Sequence, residues 1–301
     1  MIKLFLWLSF LAFLVVTLLA PFTFLVPDNA ESSLAKRLIA EQQSQDKERQ
    51  KSRENKKTVK KVVEQPLHNV DLPDFAAIAD VSTKKAQFFD FITPAIVAQN
   101  ERILATRTKL EYWLEQMTLE LGLTEQEEAE LQILAKRYRL KKSRSNLQKV
   151  NELLVRVDII PLPLVLVQAA NESAWGTSRF SRIGLNFFGI WCYEPDCGMV
   201  PNGRNKGAKH EVAAFDSVDD AVRGYFRNIN THNAYQVFRT IRAQLRANNE
   251  PIAPEILATG LLPYSERGAD YVLDITDMLR HNQRFFEDET TYFDNTTSYS
   301  E

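Results

Sequence analysis

The sequence has few cysteines and glycines and no large excess of charge of either sign. Its 301 residues include two cysteines and ten glycines, and the formal net charge is −2, with a pI near 6.2. A dedicated nucleic-acid-binding protein usually carries a strongly basic domain, so this balance argues against nucleic acid as a partner. The sequence also lacks GxSxG, Walker and dinucleotide-binding motifs, and HEVAA at 210–214 lacks the second histidine of a zinc-protease helix. We therefore predict no cofactor and no metal site.

One long apolar run is present, close to the N-terminus. Residues Leu4 to Val26 contain no charged side chain, and a helix that spans a bilayer needs about 20 apolar residues. The run exceeds the apolar core of a signal peptide, which is about 7 to 15 residues, and no clear small-x-small cleavage site follows it. We predict an uncleaved transmembrane anchor at 1–27, with a cleaved signal peptide as the alternative.

The segment 28–74 is polar and has few aromatic residues to bury. Such a composition cannot offset the entropy lost on ordering, and it predicts a disordered, charged linker. Between Lys47 and Lys61, eight basic residues accompany two acidic ones, in a run that is either simply solvated or attracted to an anionic surface. A second disordered segment is predicted for the C-terminal tail, at 289–301.

Apolar residues recur at helical spacing from Phe75 onward. Over 75–145 this spacing predicts two or three scaffold helices, which form a helical extension without a catalytic constellation of their own. Thr124 followed by Glu127 is the signature of a capping box and predicts the start of one of these helices.

The segment 146–288 is predicted to be the catalytic domain. Its helical pattern is interrupted between Trp191 and Phe215 by Gly, Pro and Asn, and 211–215 is the most strand-like stretch there. Helical spacing then resumes at Val218 and continues to about Phe286. The sequence therefore predicts a mainly α (α+β) protein in which a small β-lobe interrupts the helices.

Both cysteines fall in this interruption, as Cys192 and Cys197 in the sequence WCYEPDC. In an exported chain, a closely spaced pair with Pro-Asp between its members is typical of a disulfide that closes a small loop. Two reduced thiols and a two-ligand metal clip are the alternatives, although the spacing is not that of a CxxC zinc pair.

Glu172 is the candidate catalytic acid. Pro161 and Pro163 suit a helix start, apolar residues follow at helical spacing, and Gly176 supplies a stop, so Glu172 falls on the last turn of a very apolar helix. Partial desolvation and the negative end of a helix both disfavour a carboxylate, and a raised pKa is what a general acid requires. Taken alone, Glu172 is better explained as a structural residue that forms an ion pair or caps a neighbouring segment.

The residues around Glu172 resemble the glucosaminidase family of cell-wall hydrolases, which includes the muramidase domain of the flagellar rod protein. The resemblance rests on QAANESAWGTS at 168–178 and NFFGI at 186–190, and the surrounding segments resemble the Bax-like branch of that family. Those segments are VDIIPLPLVLVQAANESAWGTSRF, NFFGIWC, KHEVAAF, NINTHNAY and YSERGADYV, and the similarity covers roughly 77–281. It implies a lysozyme-like domain that cleaves the β-1,4 bond after N-acetylglucosamine in peptidoglycan.

The resemblance also implies roles for particular residues. The glutamate of the ESxWG motif falls on Glu172, which is then the proton donor. The family places a second acid in the β-lobe, and Glu211 is our choice for it, ahead of Glu194 and Asp196. Tyr264, in the YSERG segment, matches a cleft tyrosine of the family.

Several residues near the acid in sequence are predicted to bind substrate. Aromatic side chains commonly stack on the apolar faces of sugar rings, although an aromatic residue close to an apolar helix is as often part of the core. The predicted substrate-binding residues are Trp175, Asn186, Phe188, Trp191 and Tyr193.

The predicted partner is the glycan strand of peptidoglycan, and no protein partner is predictable. Lys36 and Arg37 after the apolar run would by themselves favour a cytoplasmic body. Asp28 and Glu31 lie closer to the run, and the implied substrate is outside the inner membrane. We therefore predict a single-pass inner-membrane protein, held through residues 4–26, with its catalytic domain in the periplasm.

Three other functions remain open at this point. A lytic transglycosylase shares the lysozyme-like fold and a single acid. A non-catalytic peptidoglycan-binding module would keep the cleft without turnover. An endoglycosidase would act on other polymers of N-acetylglucosamine.

Overall fold

The structure is a computed structural model that describes Lys47, residues 65–201, Gly207 and residues 210–286. The chain divides into two compact units, Met1–Glu64 and Gln65–Glu301, and the fold described below belongs to the second. The predicted anchor, the predicted tail and, apart from Lys47, the basic run lie outside the described residues. Among the residues that are described, no helix is both long enough and apolar enough to cross a membrane.

Two helices form the predicted extension. Helix α1 comprises Val81–Thr118, and its N-terminus is capped by Asp80, whose carboxylate accepts a hydrogen bond from the Thr83 amide. Helix α2 comprises Glu125–Arg137 and begins with the predicted capping box, in which Thr124 and Glu127 each bind the other's backbone amide. The sequence-based prediction for this start is confirmed.

Three further helices lead to the candidate acid. They are α3 (Asn146–Arg156), α4 (Leu162–Ser173) and α5 (Arg179–Gly184). Helix α4 begins at the two prolines, as predicted, because proline fits the first turn of a helix, where its missing N–H costs nothing. Residues 164–167 of α4 are all almost completely buried, since this helix packs against α1 and against two C-terminal helices.

The predicted β-lobe is a sheet of three very short strands. These are β1 (Trp191–Cys192), β2 (Gly198–Met199) and β3 (Glu211–Ala213), with β3 in the middle and antiparallel to both neighbours. Trp191 is paired with Val212, and Cys192 with Glu211. Mainly helical structure with one small sheet is therefore confirmed.

Helical structure resumes after the sheet. The α-helices are α6 (Val218–Thr231), α7 (Gln236–Ala247), α8 (Pro254–Ala258) and α9 (Ala269–His281). Short 3-10 helices at Asn233–Tyr235, Thr259–Tyr264 and Gln283–Phe285 connect or extend them. Helices α8 and α9 complete the packing around α4.

The ordered body begins before the predicted end of the linker at residue 74. The Leu67 amide donates to the Ile183 carbonyl over 2.8 Å, and His68 Nε2 lies 3.1 Å from the Arg182 carbonyl. Val70 and Leu72 pack against the core, and Phe75 is almost fully buried. This stretch is polar in composition, but hydrogen bonds to backbone carbonyls of α5 hold it against the domain.

Candidate active site

Glu172 lies on the last turn of α4, one residue before the helix ends. The chain leaves the helix through consecutive left-handed residues, with φ of 51° at Ala174, 57° at Trp175 and 75° at Gly176. The Trp175 amide donates to the Ala170 carbonyl over 2.9 Å, which satisfies one of the carbonyls at the helix end, and the Gly176 amide donates to Ser173 Oγ over 2.8 Å. A Cβ atom at Gly176 would come within 2.4 Å of the Phe75 ring. Glycine therefore sets the turn that ends the helix just past Glu172.

The surroundings of Glu172 favour its neutral form. The side chain is half-buried, and burial raises the pKa of its carboxyl above the ordinary value. Hydrogen bonds from Tyr271 and from Asn171 oppose that rise, because they stabilise the carboxylate. The Asn171 contact joins Nδ2 to Glu172 Oε1 over 3.2 Å.

Four tyrosines from the C-terminal half of the chain surround Glu172. Tyr225 lies on α6, Tyr235 and Tyr264 end two of the 3-10 helices, and Tyr271 lies on the first turn of α9. Tyr264 stacks on Tyr271, with ring centroids 5.5 Å apart and planes 7° apart. Burial raises the pKa of all four phenols, and the nearby Glu172 carboxylate raises each further. They consequently remain neutral hydrogen-bonding groups near neutral pH.

Gly189, which has no side chain, lies beside the Glu172 carboxyl. Gly189 has a φ of 63°, and a Cβ atom there would lie 3.5 Å from Glu172 Oε2. Tyr264 holds the loop that carries Gly189 in place, because its hydroxyl donates to the Phe188 carbonyl over 2.7 Å. Tyr264 therefore positions this loop and the ring of Tyr271, and its hydroxyl is already occupied.

Asn186 and Phe188, both predicted to bind substrate, have buried side chains. Each is 1% exposed. Asn186 Nδ2 donates to the carbonyls of Ile190 and Ala213, both over 2.8 Å, and so ties the loop to β3. Phe188 stacks on Tyr225 with a centroid distance of 4.4 Å. Both residues support the loop that borders Glu172, and neither presents a surface to a sugar.

Trp175 packs towards the helical extension. Its ring lies 5.8 Å from that of Phe88 and 5.2 Å from that of Phe89, both on α1. The Lys85 ammonium lies 5.0 Å from the Trp175 ring centroid. These contacts join α1 to the turn that follows α4, while substrate binding by Trp175 stays a prediction.

The β-lobe presents two exposed aromatic side chains. Trp191 is 47% exposed and Tyr193 is 76% exposed. The Trp191 ring packs edge-on against His210, with centroids 4.6 Å apart. Of the residues predicted to bind sugar, these two have the most accessible rings.

Glu211 lies on the opposite face of the small sheet from Trp191, because paired residues share a face and neighbouring residues alternate. It is 7% exposed, and its Oε2 accepts a hydrogen bond from the Gly198 amide over 3.0 Å. Its carboxylate lies beside Cys192 and Cys197, with the ligand atoms of all three residues within 4.8 Å of one another. The contacts of Glu211 thus lie within the β-lobe, whereas Glu172 is close to Asn171 and to the tyrosines of the C-terminal half.

Comparison with known proteins gives the family. Residues 147–284 match the family model described as glucosaminidase, mannosyl-glycoprotein endo-beta-N-acetylglucosaminidase. The chain is also 37% identical over 215 residues to Protein bax of Escherichia coli (strain K12), an alignment that covers 71% of this chain and 75% of that protein. The chain is a Bax-like member of the glucosaminidase family. No solved structure matches it.

The disulfide predicted for this Bax-like protein is present. Cys192 and Cys197 are bonded to each other across the loop between β1 and β2. The bond joins the end of β1 to the residue before β2, and so braces the lobe that carries Trp191 and Tyr193.

We expect both cysteines of the purified Bax-like protein to resist alkylation until a reductant is added, because a disulfide sulfur is not a thiolate nucleophile. Mass spectrometry after iodoacetamide treatment, with and without prior reduction, measures this. Immediate labelling of both residues would contradict the assignment.

Sequence reasoning missed three of the residues that surround the acid in this Bax-like protein. Tyr271 lowers the pKa of Glu172, and Gln168 is hydrogen-bonded to both Tyr271 and Tyr225. Tyr271 falls within the YSERGADYV segment that carries the family resemblance, seven residues after Tyr264, so a signal for it was present. Gln168 opens the QAANESAWGTS motif, but nothing local in the sequence marks its contact with Tyr225, 57 residues away.

Proposed function

We propose that the protein is a glycoside hydrolase of lysozyme-like fold that cleaves the β-1,4 bond after N-acetylglucosamine in peptidoglycan strands, with Glu172 as its proton donor. The observation that carries the proposal is the half-buried Glu172 carboxyl on the last turn of α4, with a raised pKa and neutral tyrosines nearby. Membership of the glucosaminidase family supports the same reaction class.

The surroundings of Glu172 suit a group that must give up a proton to a leaving oxygen. Burial favours the protonated acid before the reaction, and this keeps a proton available at higher pH than an exposed glutamate would. Once the proton is transferred, hydrogen bonds from Tyr271 and Asn171 stabilise the carboxylate that remains. Gly189 places no side chain next to Glu172 Oε2, which a Cβ atom there would contact at 3.5 Å.

A single-acid route fits this arrangement better than a pair of carboxylates in contact. In the described part of the chain, the side chains found around Glu172 are Asn171 and tyrosines, with no carboxylate among them. Glu211 remains our candidate for a second acid, but its carboxylate is bonded to the Gly198 amide. The same observation favours a second candidate function, a lytic transglycosylase, because that reaction also needs one acid.

The exposed aromatic rings of the β-lobe are the proposed platform for the glycan. Trp191 lies on β1 and Tyr193 lies just after it, so the two exposed rings are close in sequence on the β-lobe. Flat aromatic surfaces of this kind can cover the apolar face of a pyranose ring. The disulfide next to these two residues limits how far the β-lobe can move when a glycan strand binds.

Digestion of purified peptidoglycan by the full-length protein tests the proposal, with mass spectrometry of the released fragments. We expect fragments that end in reducing N-acetylglucosamine. Fragments with 1,6-anhydro sugars would instead establish the transglycosylase, and intact sacculi with bound protein would establish a non-catalytic module.

We further propose that residues 4–26 anchor the protein in the inner membrane, with the catalytic domain in the periplasm. The uncharged run from Leu4 to Val26 supports the anchor, and the location of the proposed substrate supports the orientation. A reporter that is active only in the periplasm, fused after Glu301, is expected to be active. Activity of a reporter that works only in the cytoplasm would overturn this orientation.

A further inference from the structure

Three potential metal ligands meet in the β-lobe. They are the Sγ atoms of Cys192 and Cys197 and a carboxylate oxygen of Glu211, and these atoms all lie within 4.8 Å of one another. Cys192 is on β1, Cys197 directly precedes β2 and Glu211 is on β3. From sequence alone the two cysteines offer only two ligands, and the fold adds the third.

The pairing of the strands explains why the carboxylate reaches the cysteines. Cys192 is the register partner of Glu211 in the antiparallel pair of β1 and β3, and paired residues project from the same face of a sheet. The Gly198 amide donates to Glu211 Oε2 over 3.0 Å, which ties the carboxylate to the residue after Cys197. A carboxylate has about four lone-pair sites, so this one hydrogen bond leaves acceptor capacity for a cation.

The redox state of the cysteines decides whether they can act as ligands. In the disulfide the two sulfurs are bonded to each other, and the thiolate is the form that binds a metal. A dithiol reductant gives two electrons and two protons to the S–S bond, which yields two thiols in the protein and a disulfide in the reductant. A divalent metal ion then displaces the two thiol protons and binds the thiolates.

The spacing and the distances suit zinc. Four residues separate the two cysteines, and structural zinc sites use cysteine pairs with two to four intervening residues. Zinc takes thiolate sulfur at about 2.3 Å and carboxylate oxygen at about 2.0 to 2.2 Å in a tetrahedron, so its ligand atoms lie roughly 3.5 to 3.8 Å apart. Ligand atoms that already lie within 4.8 Å of one another reach this arrangement by side-chain rotation.

We propose that the reduced β-lobe binds one zinc ion through Cys192, Cys197 and Glu211, with water as the fourth ligand, and that the disulfide and the metal are alternative crosslinks of the same lobe. Thiolate ligands select Zn²⁺ over Mg²⁺ and Ca²⁺, which prefer oxygen. The disulfide joins β1 to the start of β2, whereas the metal would also join β3. Zinc binding requires neither Glu172 nor glycan cleavage, so its failure would leave the proposed function standing.

A cobalt titration of the reduced full-length protein tests this proposal. Dithiothreitol reduces the disulfide, anaerobic desalting removes the reductant, and Co²⁺ is then added as a coloured substitute for Zn²⁺. We expect one Co²⁺ per chain, with the visible bands of tetrahedral cobalt and the near-ultraviolet charge-transfer bands of thiolate ligands. Added Zn²⁺ should displace the cobalt and bleach these bands, because zinc has no geometric preference that opposes a tetrahedral site. The oxidised protein should show none of them.

Two glutamate variants separate the proposed ligand from a carboxylate that is only close in sequence. Glu211→Gln should weaken cobalt binding by at least about 10-fold and shift the visible bands, because even the loss of an outer-shell partner costs about 10- to 100-fold in metal affinity. Glu194→Gln is the matched control, since Glu194 lies between the two cysteines but is exposed. Its affinity for cobalt should equal that of the parent.

The proposal is overturned if the reduced parent gives no stoichiometric cobalt–thiolate spectrum, or if Glu211→Gln binds cobalt as tightly as the parent or as Glu194→Gln. The oxidised form of each variant, in which the disulfide holds the lobe, is the folding control. If Glu211→Gln does not fold, Glu211→Asp should weaken binding in its place, because it keeps the charge but shortens the side chain. Zn²⁺ should also slow alkylation of both cysteines in the reduced parent, and equal rates with and without Zn²⁺ would contradict the site.

Discussion

Replacing Glu172 with Gln is expected to lower glycan cleavage by about 100-fold to 10,000-fold, the usual cost of removing a general acid. Glutamine keeps the volume of the side chain and can still accept hydrogen bonds from Tyr271 and Asn171, but it has no proton to give. Because the native acid is favoured in its neutral form, a neutral amide should disturb the half-buried site very little. Release of soluble fragments from sacculi and the midpoint of thermal unfolding, measured together, check this result.

Glu211→Gln, measured alongside, separates the two acids. If the reaction uses one carboxylate, this variant should retain most of its activity, and any loss should follow the loss of the hydrogen bond to the Gly198 amide and of lobe stability. If a second carboxylate is needed, both variants should be inactive while remaining folded. Digestion of sacculi by Glu172→Gln at close to the parent rate would show that the acid is misassigned.

Asp158→Asn is expected to lower the free energy of unfolding by about 3 to 5 kcal/mol, because it leaves buried cations without their counter-ion. Asp158 is 1% exposed and lies between α3 and α4. Its Oδ1 is 2.7 Å from Arg246 Nη2, and its Oδ2 is 3.3 Å from Arg107 Nη1. The fully buried Arg242 guanidinium is farther away, with its Nε 4.0 Å from Asp158 Oδ2. One carboxylate thus joins α1 and α7 to the segment that precedes α4.

Asp274→Asn is the matched control, since the Asp274–Arg267 pair has side chains that are 46% and 54% exposed. An exposed pair contributes about 0 to 1 kcal/mol, so this variant should unfold at nearly the parent denaturant concentration. Equal losses in the two variants would contradict the account of Asp158.

The contribution of Asp158 should also depend on pH. Burial raises the pKa of its carboxyl, but the hydrogen bond from Arg246 and the charges of Arg242, Arg107 and Arg246 outweigh burial and leave the pKa below its ordinary value. For an acid with a depressed pKa, the stabilisation is complete above the unfolded-state pKa and is lost as the pH falls through the folded-state pKa. The difference between parent and Asp158→Asn should therefore shrink on strong acidification.

The sequence predicts those parts of the fold that depend on neighbours along the chain. The capping box at Thr124 and Glu127, the proline start of α4 and the strand that begins at Glu211 were all recognisable, because each is a local pattern of hydrogen bonding or backbone restriction. The position of Glu172 on the last turn of α4 follows from the same kind of pattern.

The parts that it does not predict depend on contacts between distant segments. Gln168 and Tyr271 are 103 residues apart, and Arg246 lies 88 residues from Asp158. Asn186 and Phe188 show a second reason, since a motif identifies which residues matter but not whether they face substrate or support the residues that do. Only packing distinguishes these two roles.

The contacts of α1 bear on where a self-sufficient catalytic fragment can be cut. The family match begins at residue 147, but Phe88 and Phe89 of α1 cover Trp175, and Arg107 of α1 reaches Asp158. A fragment that starts at the family boundary would expose this apolar face to water and would remove one cation from a buried cluster. The segment that matches the family is therefore shorter than the part of the chain that packs around one core. Helix α1 completes the hydrophobic core, so an expression fragment should begin before Phe75.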